Sequence, residues 1–509
     1  MFIKVTSGAV LGVDGYIVDV EVDISSGLPG FDIVGLPDSA VKESRERVRA
    51  AIKNSDYIFP VKRITVNLAP ADTKKSGPSF DLPVAVGILI CTGVIKPEPI
   101  ENAFFAGELS LDGAVRPVNG ILPMVIAAKA QGIKAFFVAE ENAEEAALVG
   151  DVDVFPMNNI NQLVEHFDNK PVEKLVINMA DYFCNKSTNT YNVDFADVAG
   201  QTQVKRALEI AAAGYHNTLM IGTPGAGKTM MARRMPTILP NLSLDESMEI
   251  TKIYSIAGLL NQKGLLMTER PFRTPHHTAS YISLTGGGRT PSPGEISLSH
   301  NGVLFLDELP EFQKKALETL RQPLEDGHIT INRVGGTFTY PSVFLLMAAM
   351  NPCPCGYMGT SRCTCTEGEV AKYLDKISGP LLDRIDIQVE ATPVEYNELT
   401  GNKKSPEDSA TIKQRVETAR ERQKERFKGE IRFNAKMPSS MTKKHCKLGK
   451  DAQDLLKQAF DTMSLSARAY HKILKISRTI ADLADSNDIS TEHVAEAISY
   501  RGLDRKYWH

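Results

Sequence analysis

The sequence lacks features that would place it in a membrane, in a secretory route or in a strongly basic class of nucleic-acid-binding proteins. Its most apolar stretch, residues 82–95, is too short to span a bilayer and contains both proline and glycine. No signal peptide opens the chain, so we expect a cytoplasmic protein. The formal net charge is −4, with 58 Lys and Arg against 62 Asp and Glu. Binding to DNA would therefore need local basic patches.

Cysteine is scarce, because the 509 residues contain seven. Four of these nevertheless lie close together in the sequence, namely Cys353, Cys355, Cys363 and Cys365. In a reducing compartment this clustering favours a metal over disulfides, since four thiolates can form a tetrahedral Zn²⁺ site. The C-x-C spacing is less specific than C-x-x-C, and four free thiols remain the alternative.

A complete phosphate-binding loop is the most informative motif in the chain. It follows the apolar residues 218–221, which predict a buried strand, and it precedes residues 230–235, which predict a helix. Its glycines allow backbone N–H groups to turn toward phosphates, Lys228 can reach the β and γ oxygens, and Thr229 can hold Mg²⁺. We therefore expect ATP and Mg²⁺ as cofactors, bound by Gly222, Thr223, Pro224, Gly225, Ala226, Gly227, Lys228 and Thr229.

Two carboxylates, Asp307 and Glu308, follow a second apolar run at residues 303–306. Because the C-terminal end of a parallel strand meets the ligand, Asp307 would hold the metal. Glu308 would polarise the attacking water, a role that separates ATP hydrolases from proteins that only bind nucleotide. An acidic turn after a buried strand is the alternative for this motif taken alone.

A third apolar run, residues 345–350, delivers Asn351 to the same edge of the sheet. Together these motifs resemble the AAA+ superfamily. The resemblance implies that Asn351 is sensor 1 and that Arg384 is the arginine finger, which acts on ATP bound by the neighbouring subunit. It also implies a helical lid with sensor 2 at Arg468, for which Arg478 is a weaker candidate. An arginine between two aspartates, as Arg384 is, would otherwise be an ion-pair residue.

The resemblance narrows to one branch of that superfamily. The segments 273–278, 286–288 and 351–356 are similar to those of the magnesium-chelatase-like ComM/YifB family, and the similarity covers nearly the whole chain. It implies a hexameric motor that drives branch migration of DNA during natural transformation. The paired histidines of the first segment, His276 and His277, could instead be ordinary loop residues.

The N-terminal part has a different character. Residues 16–24 alternate apolar and acidic side chains, as a half-buried strand does. The segments 76–79 and 107–120 resemble the proteolytic domain of Lon-type proteases, with Ser79 at the nucleophile position. Leu122 stands where that family has its catalytic lysine, and a serine without a base is a poor nucleophile. Lys74 and Lys75 are nearby in the sequence, and a base at one of these positions is the alternative. We favour a protease fold that has lost peptidase activity and is retained for assembly or partner binding.

We therefore predict an α/β fold, in which an AAA+ P-loop core with a helical lid follows a Lon-protease-like α+β domain. The chain is too long for a single core, which seldom exceeds about 250–300 residues. The predicted boundaries are residues 1–171 for the N-terminal domain, 172–193 for a linker, 194–395 for the ATPase core and 396–509 for the helical lid region. A helix is also predicted from Ser405 to about Lys428.

Two segments are candidates for DNA contacts. Residues 285–294 are rich in Gly, Pro and Ser and suggest an inserted loop, and residues 329–340 predict a hairpin with Arg333 near its tip. An ordinary surface hairpin is the alternative. We expect an ATP-driven ring motor, a hexamer by resemblance, that acts on branched or single-stranded DNA as a helicase. The main rival is a chelatase-type or chaperone-type motor that remodels a protein partner.

Overall fold

The computed structural model describes residues 1–100, 102–168, 170–179, 183, 192–260, 266–288, 291–333, 336–393, 407–429 and 431–508. Half of the predicted linker, including the polar residues 184–190, lies outside these ranges. Within them, no helix has the length and apolar character needed to cross a membrane.

The N-terminal part of the chain is built on a mixed sheet. Its strands are β1 (Phe2–Leu11), β2 (Asp14–Ser25), β3 (Gly30–Val34), β4 (Arg63–Ala69), β5 (Ala103–Ala106), β6 (Glu108–Leu109), β7 (Val115–Arg116), β8 (Ala135–Ala139) and β9 (Asp153–Met157). Seven of them form one sheet in the order β3-β4-β2-β1-β5-β8-β9. In β2, Val18, Val20 and Val22 are buried while the residues between them are not, which confirms the predicted half-buried strand.

The helices of this part are α1 (Ser39–Asn54), α2 (Asp81–Cys91), α3 (Ile121–Ala130), α4 (Glu140–Ala147) and α5 (Ile160–Phe167), with a short 3₁₀ helix at Glu98–Ile100. The helix α2 contains most of the apolar run at residues 82–95. Its residues 81–90 are buried on every side of the helix, so this run forms the centre of a core.

A second, parallel sheet lies in the following part of the chain. The strands here are β10 (Thr218–Gly222), β11 (Phe272–Arg273), β12 (Gly286–Gly287), β13 (Ser292–Pro293), β14 (Val303–Leu306), β15 (His328–Arg333), β16 (Gly336–Pro341), β17 (Leu345–Met350) and β18 (Ile387–Ala391). Five of them form the sheet in the order β11-β14-β17-β10-β18, and every pairing in it is parallel. The residues of β10, β14 and β17 are all buried, as expected for a parallel sheet covered on both faces.

Helices surround this sheet. They are α6 (Thr202–Gly214), α7 (Lys228–Ala232), α8 (Met235–Ile238), α9 (Leu244–Ile256), α10 (Tyr281–Thr285), α11 (Glu295–Leu298), α12 (Lys314–Glu318), α13 (Arg321–Asp326), α14 (Glu367–Leu374) and α15 (Gly379–Leu382), with 3₁₀ helices at Phe195–Asp197 and Leu309–Glu311. The helix predicted at residues 230–235 is instead two short helices, α7 and α8, and α7 begins directly at the lysine of the loop.

The C-terminal region is helical, as predicted. Its helices are α16 (Ser409–Phe427), α17 (Ser439–His445), α18 (Lys450–Thr462), α19 (Ala467–Leu483), α20 (Thr491–Ser499) and α21 (Gly502–Trp508), with a 3₁₀ helix at Asn434–Lys436. The start predicted for α16 was wrong within the described residues, because Asp408 caps it by accepting a hydrogen bond from the backbone N–H of Thr411 at 2.8 Å. The predicted Ser405 cap itself lies outside the described residues.

The two sheet-containing parts of the chain are in direct contact through a buried carboxylate. Glu145 of α4 accepts hydrogen bonds from the backbone N–H of Leu122 at 3.0 Å and from the hydroxyl of Ser255, in α9, at 2.5 Å. Burial raises the pKa of Glu145, and these hydrogen bonds oppose that rise. The side chain of Leu122 packs beside Leu148 and Leu266. The N-terminal sheet is therefore packed against α9 of the second part through both polar and apolar contacts.

Candidate nucleotide site

The phosphate-binding loop connects β10 to α7 at the carboxyl end of the parallel sheet. Gly225 and Gly227 have φ angles of 80° and 81°, in the left-handed region that glycine adopts without strain. Gly222 lies so close to β18 that a Cβ atom there would come within 2.3 Å of the Ala391 carbonyl oxygen. The glycines are thus required by the path of the backbone. The loop borders a cavity of about 390 Å³ that is also lined by Asp307, Glu308 and Asn351.

Lys228 lies at the centre of this cavity and is buried. Its ammonium group donates hydrogen bonds to the carbonyl oxygens of Gly222 at 2.7 Å and Thr223 at 3.0 Å, and to Oδ1 of Asn351 at 3.1 Å. Burial lowers its pKa, whereas the nearby carboxylates of Asp307 and Glu308 act to raise it. Residues from β10 and β17, which are adjacent in the sheet, therefore converge on one amine.

Thr229 and Asp307 form the second contact between distant motifs. The Thr229 hydroxyl donates a hydrogen bond of 2.5 Å to Oδ2 of Asp307, and the backbone N–H of Glu308 donates one of 3.0 Å to Oδ1. A hydroxyl beside a carboxylate offers the hard oxygen ligands that Mg²⁺ prefers. Thr229 and Asp307 would therefore hold a Mg²⁺ ion, which would supply positive charge against the phosphates.

Glu308 has an unusual backbone conformation for a residue with a side chain. Its φ angle is 53°, in the left-handed region, where a non-glycine residue stores about 1–3 kcal/mol of strain. Its carboxylate is 55% exposed and lies 3.2 Å from Nδ1 of His277. The ring centroid of His276 lies 4.1 Å from that of His277, and the two ring planes are tilted by 34°. No sequence pattern predicts this contact, which arises because the short strand β11 pairs with β14 and brings the following turn to Glu308.

The two predicted arginines occupy a different place. Among the described residues, neither Arg384 nor Arg468 lines the cavity beside the loop. The guanidinium of Arg384 lies 2.6 Å from Glu325 and donates a hydrogen bond to the Arg321 carbonyl at 3.1 Å. Arg468 is 62% exposed and lies 3.6 Å from Asp383, next to Arg384 in the chain. The structure thus places both arginines outside the cavity of their own chain, in ion pairs with different carboxylates.

Arg478, the weaker candidate for sensor 2, is buried inside the helical region. It pairs with Asp482 at 3.0 Å and donates hydrogen bonds to the backbone carbonyls of Ser486 and Asn487. A buried arginine with these partners stabilises the turn after α19. The exposed Arg468 is the better placed of the two for contact with a nucleotide.

Two further segments touch the loop from outside. Gln201 donates a hydrogen bond from Nε2 to the carbonyl oxygen of Ala226 at 3.2 Å. Gly356 packs on Pro224, so closely that a Cβ atom at Gly356 would come within 2.6 Å of the proline ring. The loop is therefore braced by the cysteine-rich segment, a contact that sequence reasoning did not anticipate.

The four clustered cysteines meet at one point. Their Sγ atoms all lie within 4.8 Å of one another, and Cys353 is 3.4 Å from Cys355 and 3.9 Å from Cys363. These are not disulfide distances, since a disulfide bond is about 2.05 Å long. Zn–S bonds of about 2.3 Å place two sulfurs of a tetrahedron roughly 3.8 Å apart. The cluster therefore has the size of a tetrahedral zinc site.

The protease-like motif of the N-terminal part is arranged differently. Ser79 is buried just before α2, and Lys75 is also buried. Within the described part of the chain, the Lys75 ammonium has no hydrogen-bond partner, so it does not hydrogen-bond to the Ser79 hydroxyl. The side chain of Leu122 is fully buried in the apolar contact with the second part of the chain. No base is in place beside the serine among these residues.

Comparisons with known proteins agree with this geometry. Residues 194–399 match the family described as magnesium chelatase, subunit ChlI, residues 20–142 match subunit ChlI of Mg-chelatase, and residues 406–501 match its C-terminal family. Competence protein ComM of Haemophilus influenzae is 43% identical over 507 residues, with 98% of this chain and 97% of that protein covered. The chain belongs to the magnesium-chelatase-like ComM/YifB family.

Other relatives fit that membership. The uncharacterized protein YifB of Escherichia coli is 42% identical over 503 residues, covering 98% of this chain and 97% of its own length. Lon protease of Rhizobium meliloti is 26% identical over 176 residues, which is 32% of this chain and 21% of the protease. The predicted family and the predicted fold class, an AAA+ P-loop core with a helical C-terminal region and a partial likeness to Lon protease, are confirmed. The domain boundaries and the roles of individual site residues stay predictions.

Proposed function

We propose that this member of the ComM/YifB family hydrolyses ATP at the loop of residues 222–229 and uses the energy to move DNA through a ring of identical subunits. The observation that carries the proposal is the convergence of Lys228, Thr229, Asp307 and Asn351 on one cavity. These residues come from three strands, and a nucleotide cradle explains why they meet. The name of the Haemophilus influenzae relative, a competence protein, supports DNA as the substrate.

The side chains of the cavity have distinct roles in this proposal. Lys228 exchanges its bonds to loop carbonyls for phosphate oxygens, while Thr229 and Asp307 hold Mg²⁺, which neutralises phosphate charge when bound. Glu308 accepts a proton from the attacking water once its carboxylate leaves His277. Asn351, released by Lys228, orients that water with its amide.

The placement of Arg384 and Arg468 supports a ring, with a hexamer as the form expected from the family. Neither side chain reaches the cavity of its own chain; Arg468 pairs with Asp383, the residue before Arg384, and Arg384 pairs with Glu325. A guanidinium stabilises the charge on a transferring phosphoryl group and is worth about 10³–10⁵ in rate. Both arginines would therefore complete the site of a neighbouring subunit.

The four cysteines are proposed to hold one structural Zn²⁺. Their sulfur spacing fits a tetrahedron, and the segment that carries them packs on the loop through Gly356 and Pro224. The binding energy of a structural zinc is folding energy, so the metal would fix this segment and, with it, Asn351. The zinc would act on structure and would take no part in hydrolysis.

ATP turnover with and without DNA tests the main proposal. We expect hydrolysis by the purified protein, stimulated by DNA, together with unwinding of a branched DNA substrate that depends on ATP. Lys228→Ala is the matched negative control, because it removes the phosphate ligand. The proposal fails if the protein binds no branched, single-stranded or duplex DNA at low salt and if none of these alters ATP hydrolysis. That result would favour a motor that remodels a protein partner.

Elemental analysis tests the zinc separately. We expect about one zinc per chain in protein purified under reducing, chelator-free conditions, and less zinc with a lower thermal unfolding midpoint in Cys363→Ser. Cys91→Ser is the control, since Cys91 lies in the N-terminal part, away from the cluster. Two results together would show that the four thiols are free: no zinc in the purified protein, and the same thermal unfolding midpoint for the unaltered protein and for Cys363→Ser.

A further inference from the structure

A row of exposed side chains extends from the helices α10 and α12 to the hairpin formed by β15 and β16. Tyr281 and Ile282 open α10 and are 37% and 40% exposed. The ammonium of Lys315, in α12, lies 4.1 Å from the centre of the Tyr281 ring. At the other end, the hairpin of β12 and β13 meets that of β15 and β16 at Gly287, whose Cβ position is 3.0 Å from Nη2 of Arg333 and 3.9 Å from Ile282. The row is therefore continuous from Lys315 to Arg333.

The two cations at the ends of the row lack acidic partners. Among the described residues, neither Lys315 nor Arg333 forms an ion pair with a carboxylate, and both side chains are exposed. Glu318, on the same helix as Lys315, pairs instead with Arg321 at 2.7 Å, and Glu295, just after β13, pairs with Arg273 at 2.7 Å. In a chain of net charge −4, two unpaired cations on one face create a local positive field.

An exposed aromatic ring between two cations is the chemistry that recognises a nucleic-acid strand. Bases stack on aromatic side chains whatever their sequence, while Lys and Arg follow the phosphates. An exposed cation–π contact is weak enough for a phosphate to compete for the Lys315 ammonium. The apolar Ile282 beside the tyrosine extends the surface available to a base. A duplex presents phosphates but no base face, so the ring favours a single strand.

We infer that Tyr281, Ile282, Lys315 and Arg333 form a binding site for single-stranded DNA, with Tyr281 stacking on a base and the two cations on phosphates. This inference rests on the proposed DNA function and assigns it to a specific surface. The site is also joined to the nucleotide cavity by a short turn, because Tyr281 follows His277 by four residues and His277 contacts Glu308. A strand bound to Tyr281 would therefore bias the contact that holds the Glu308 carboxylate.

The first test is equilibrium binding of a fluorescent oligothymidine to the full chain. Tyr281→Ala should weaken binding about tenfold, the loss expected when one stacked base is given up, whereas Tyr281→Phe, which keeps the ring, should bind like the unaltered protein. Tyr470→Ala is the matched control, because Tyr470 is also 37% exposed but lies on α19. Thermal unfolding midpoints show that each variant is folded.

The salt dependence of binding separates the roles within the row. Each phosphate contact on a single strand contributes about 0.7 to the slope of log affinity against log salt. Lys315→Ala and Arg333→Ala should each lower the slope by about that amount, and Tyr281→Ala should leave it unchanged. Lys376→Ala is the lysine control, since Lys376 also lies near a tyrosine ring but pairs with Glu311.

The outcomes distinguish this inference from the proposed function. If the unaltered protein binds no DNA, the proposed function fails, and this site fails with it. If the unaltered protein binds the oligonucleotide and Tyr281→Ala, Lys315→Ala and Arg333→Ala all bind as tightly, the DNA function stands and this surface is not the site. Equal losses in Tyr281→Ala and Tyr281→Phe would likewise overturn the stacking role of the ring.

Discussion

Beside the five-stranded sheet, reactive side chains from distant motifs touch one another, whereas beside the seven-stranded sheet a packed leucine stands where the likeness to Lon-type proteases predicts the catalytic base. Lys228, after β10, reaches Asn351, after the neighbouring strand β17, and Thr229 reaches Asp307, which follows β14, two strands away from β10. In the protease-like part, Leu122 instead packs with Leu266 of the second part. Both regions carry sequence motifs that resemble those of enzymes. The two regions differ in whether the fold brings the side chains of these motifs into contact.

The comparison shows what a missing residue can become. A lysine at the position of Leu122 would need a polar environment, but the observed leucine fills an apolar contact between the two parts of the chain. The backbone N–H of the same residue is held by Glu145, which also binds Ser255. A position that serves catalysis in a protease thus serves here to attach the N-terminal sheet to α9.

The largest effect that tests the comparison is expected at Arg384. Arg384→Ala should lower ATP turnover by a factor of about 10³–10⁵. The reason is that the guanidinium no longer stabilises the charge on the transferring phosphoryl group in the transition state. Mixing Arg384→Ala with Lys228→Ala subunits should restore part of the turnover, since mixed rings contain interfaces with both groups intact. Steady-state ATPase assays over a range of mixing ratios measure this.

Arg422→Ala is the control for that experiment. Arg422 is also in an ion pair, with Asp485, but it lies on α16, outside the nucleotide site. Its replacement should leave turnover unchanged. If mixed rings are confirmed and no ratio recovers activity, Arg384 does not act across an interface.

Glu308 is expected to give the next largest effect. Glu308→Gln should keep ATP binding and reduce turnover by about 10²–10⁴, because an amide cannot accept the proton of the attacking water. Calorimetric binding and single-turnover hydrolysis measure the two quantities. Glu311→Gln is the control, as this nearby carboxylate pairs with Lys376 instead of facing the cavity.

The contact with His277 offers a sharper form of the same test. If His277 holds the Glu308 carboxylate before hydrolysis, His277→Ala should raise turnover without DNA and reduce the further stimulation by DNA, each by a few-fold. An unchanged ratio of stimulated to basal turnover would make the 3.2 Å contact incidental.

The parts of this site that could be predicted from the sequence are those that follow strands. Asp307 and Asn351 stand directly after continuous apolar runs, and parallel strands deliver their ends to a single edge of the sheet. The hairpin with Arg333 was predictable for a similar local reason, its alternating residues around a Gly-Gly turn, and the structure pairs Arg333 with Gly336.

Contacts between loops could not be predicted, because no local pattern encodes them. His277 reaches Glu308 through a two-residue strand, β11, too short to give a periodic signal. Arg468 reaches Asp383 through the packing of the helical region, and Gly356 reaches Pro224 through the fold of the cysteine-rich segment. The start of α16 was missed because Ser405 and Asp408 are both competent caps, and only the surrounding structure selects between them.

Substitutions at Leu122 test the packing between the N-terminal part and the second part of the chain, and we expect an intermediate effect on stability. Leu122→Ala should destabilise the contact between the two parts of the chain by about 2–5 kcal/mol, the usual loss for a buried leucine, while Leu122→Met should cost less than about 1.5 kcal/mol. Thermal unfolding and limited proteolysis near residue 266 measure the change. Equal stability of the two variants would show that the position is not packed as the structure has it.

The smallest expected effect is at Ser79. Because the two regions differ in this way, we predict that replacing Ser79 does not change the hydrolysis of peptides. The Lys75 ammonium donates no hydrogen bond to the hydroxyl, and Leu122, where the likeness to Lon-type proteases predicts the lysine, is apolar, so neither position supplies a hydrogen-bonded base. We expect no cleavage of casein or of fluorogenic peptides by the unaltered protein, with or without ATP, and therefore no difference in Ser79→Ala. Cleavage that Ser79→Ala abolishes and Lys75→Ala also abolishes would show that the buried lysine serves as a displaced base. The seven-stranded sheet would then carry a working site, and the contrast with the five-stranded sheet would disappear.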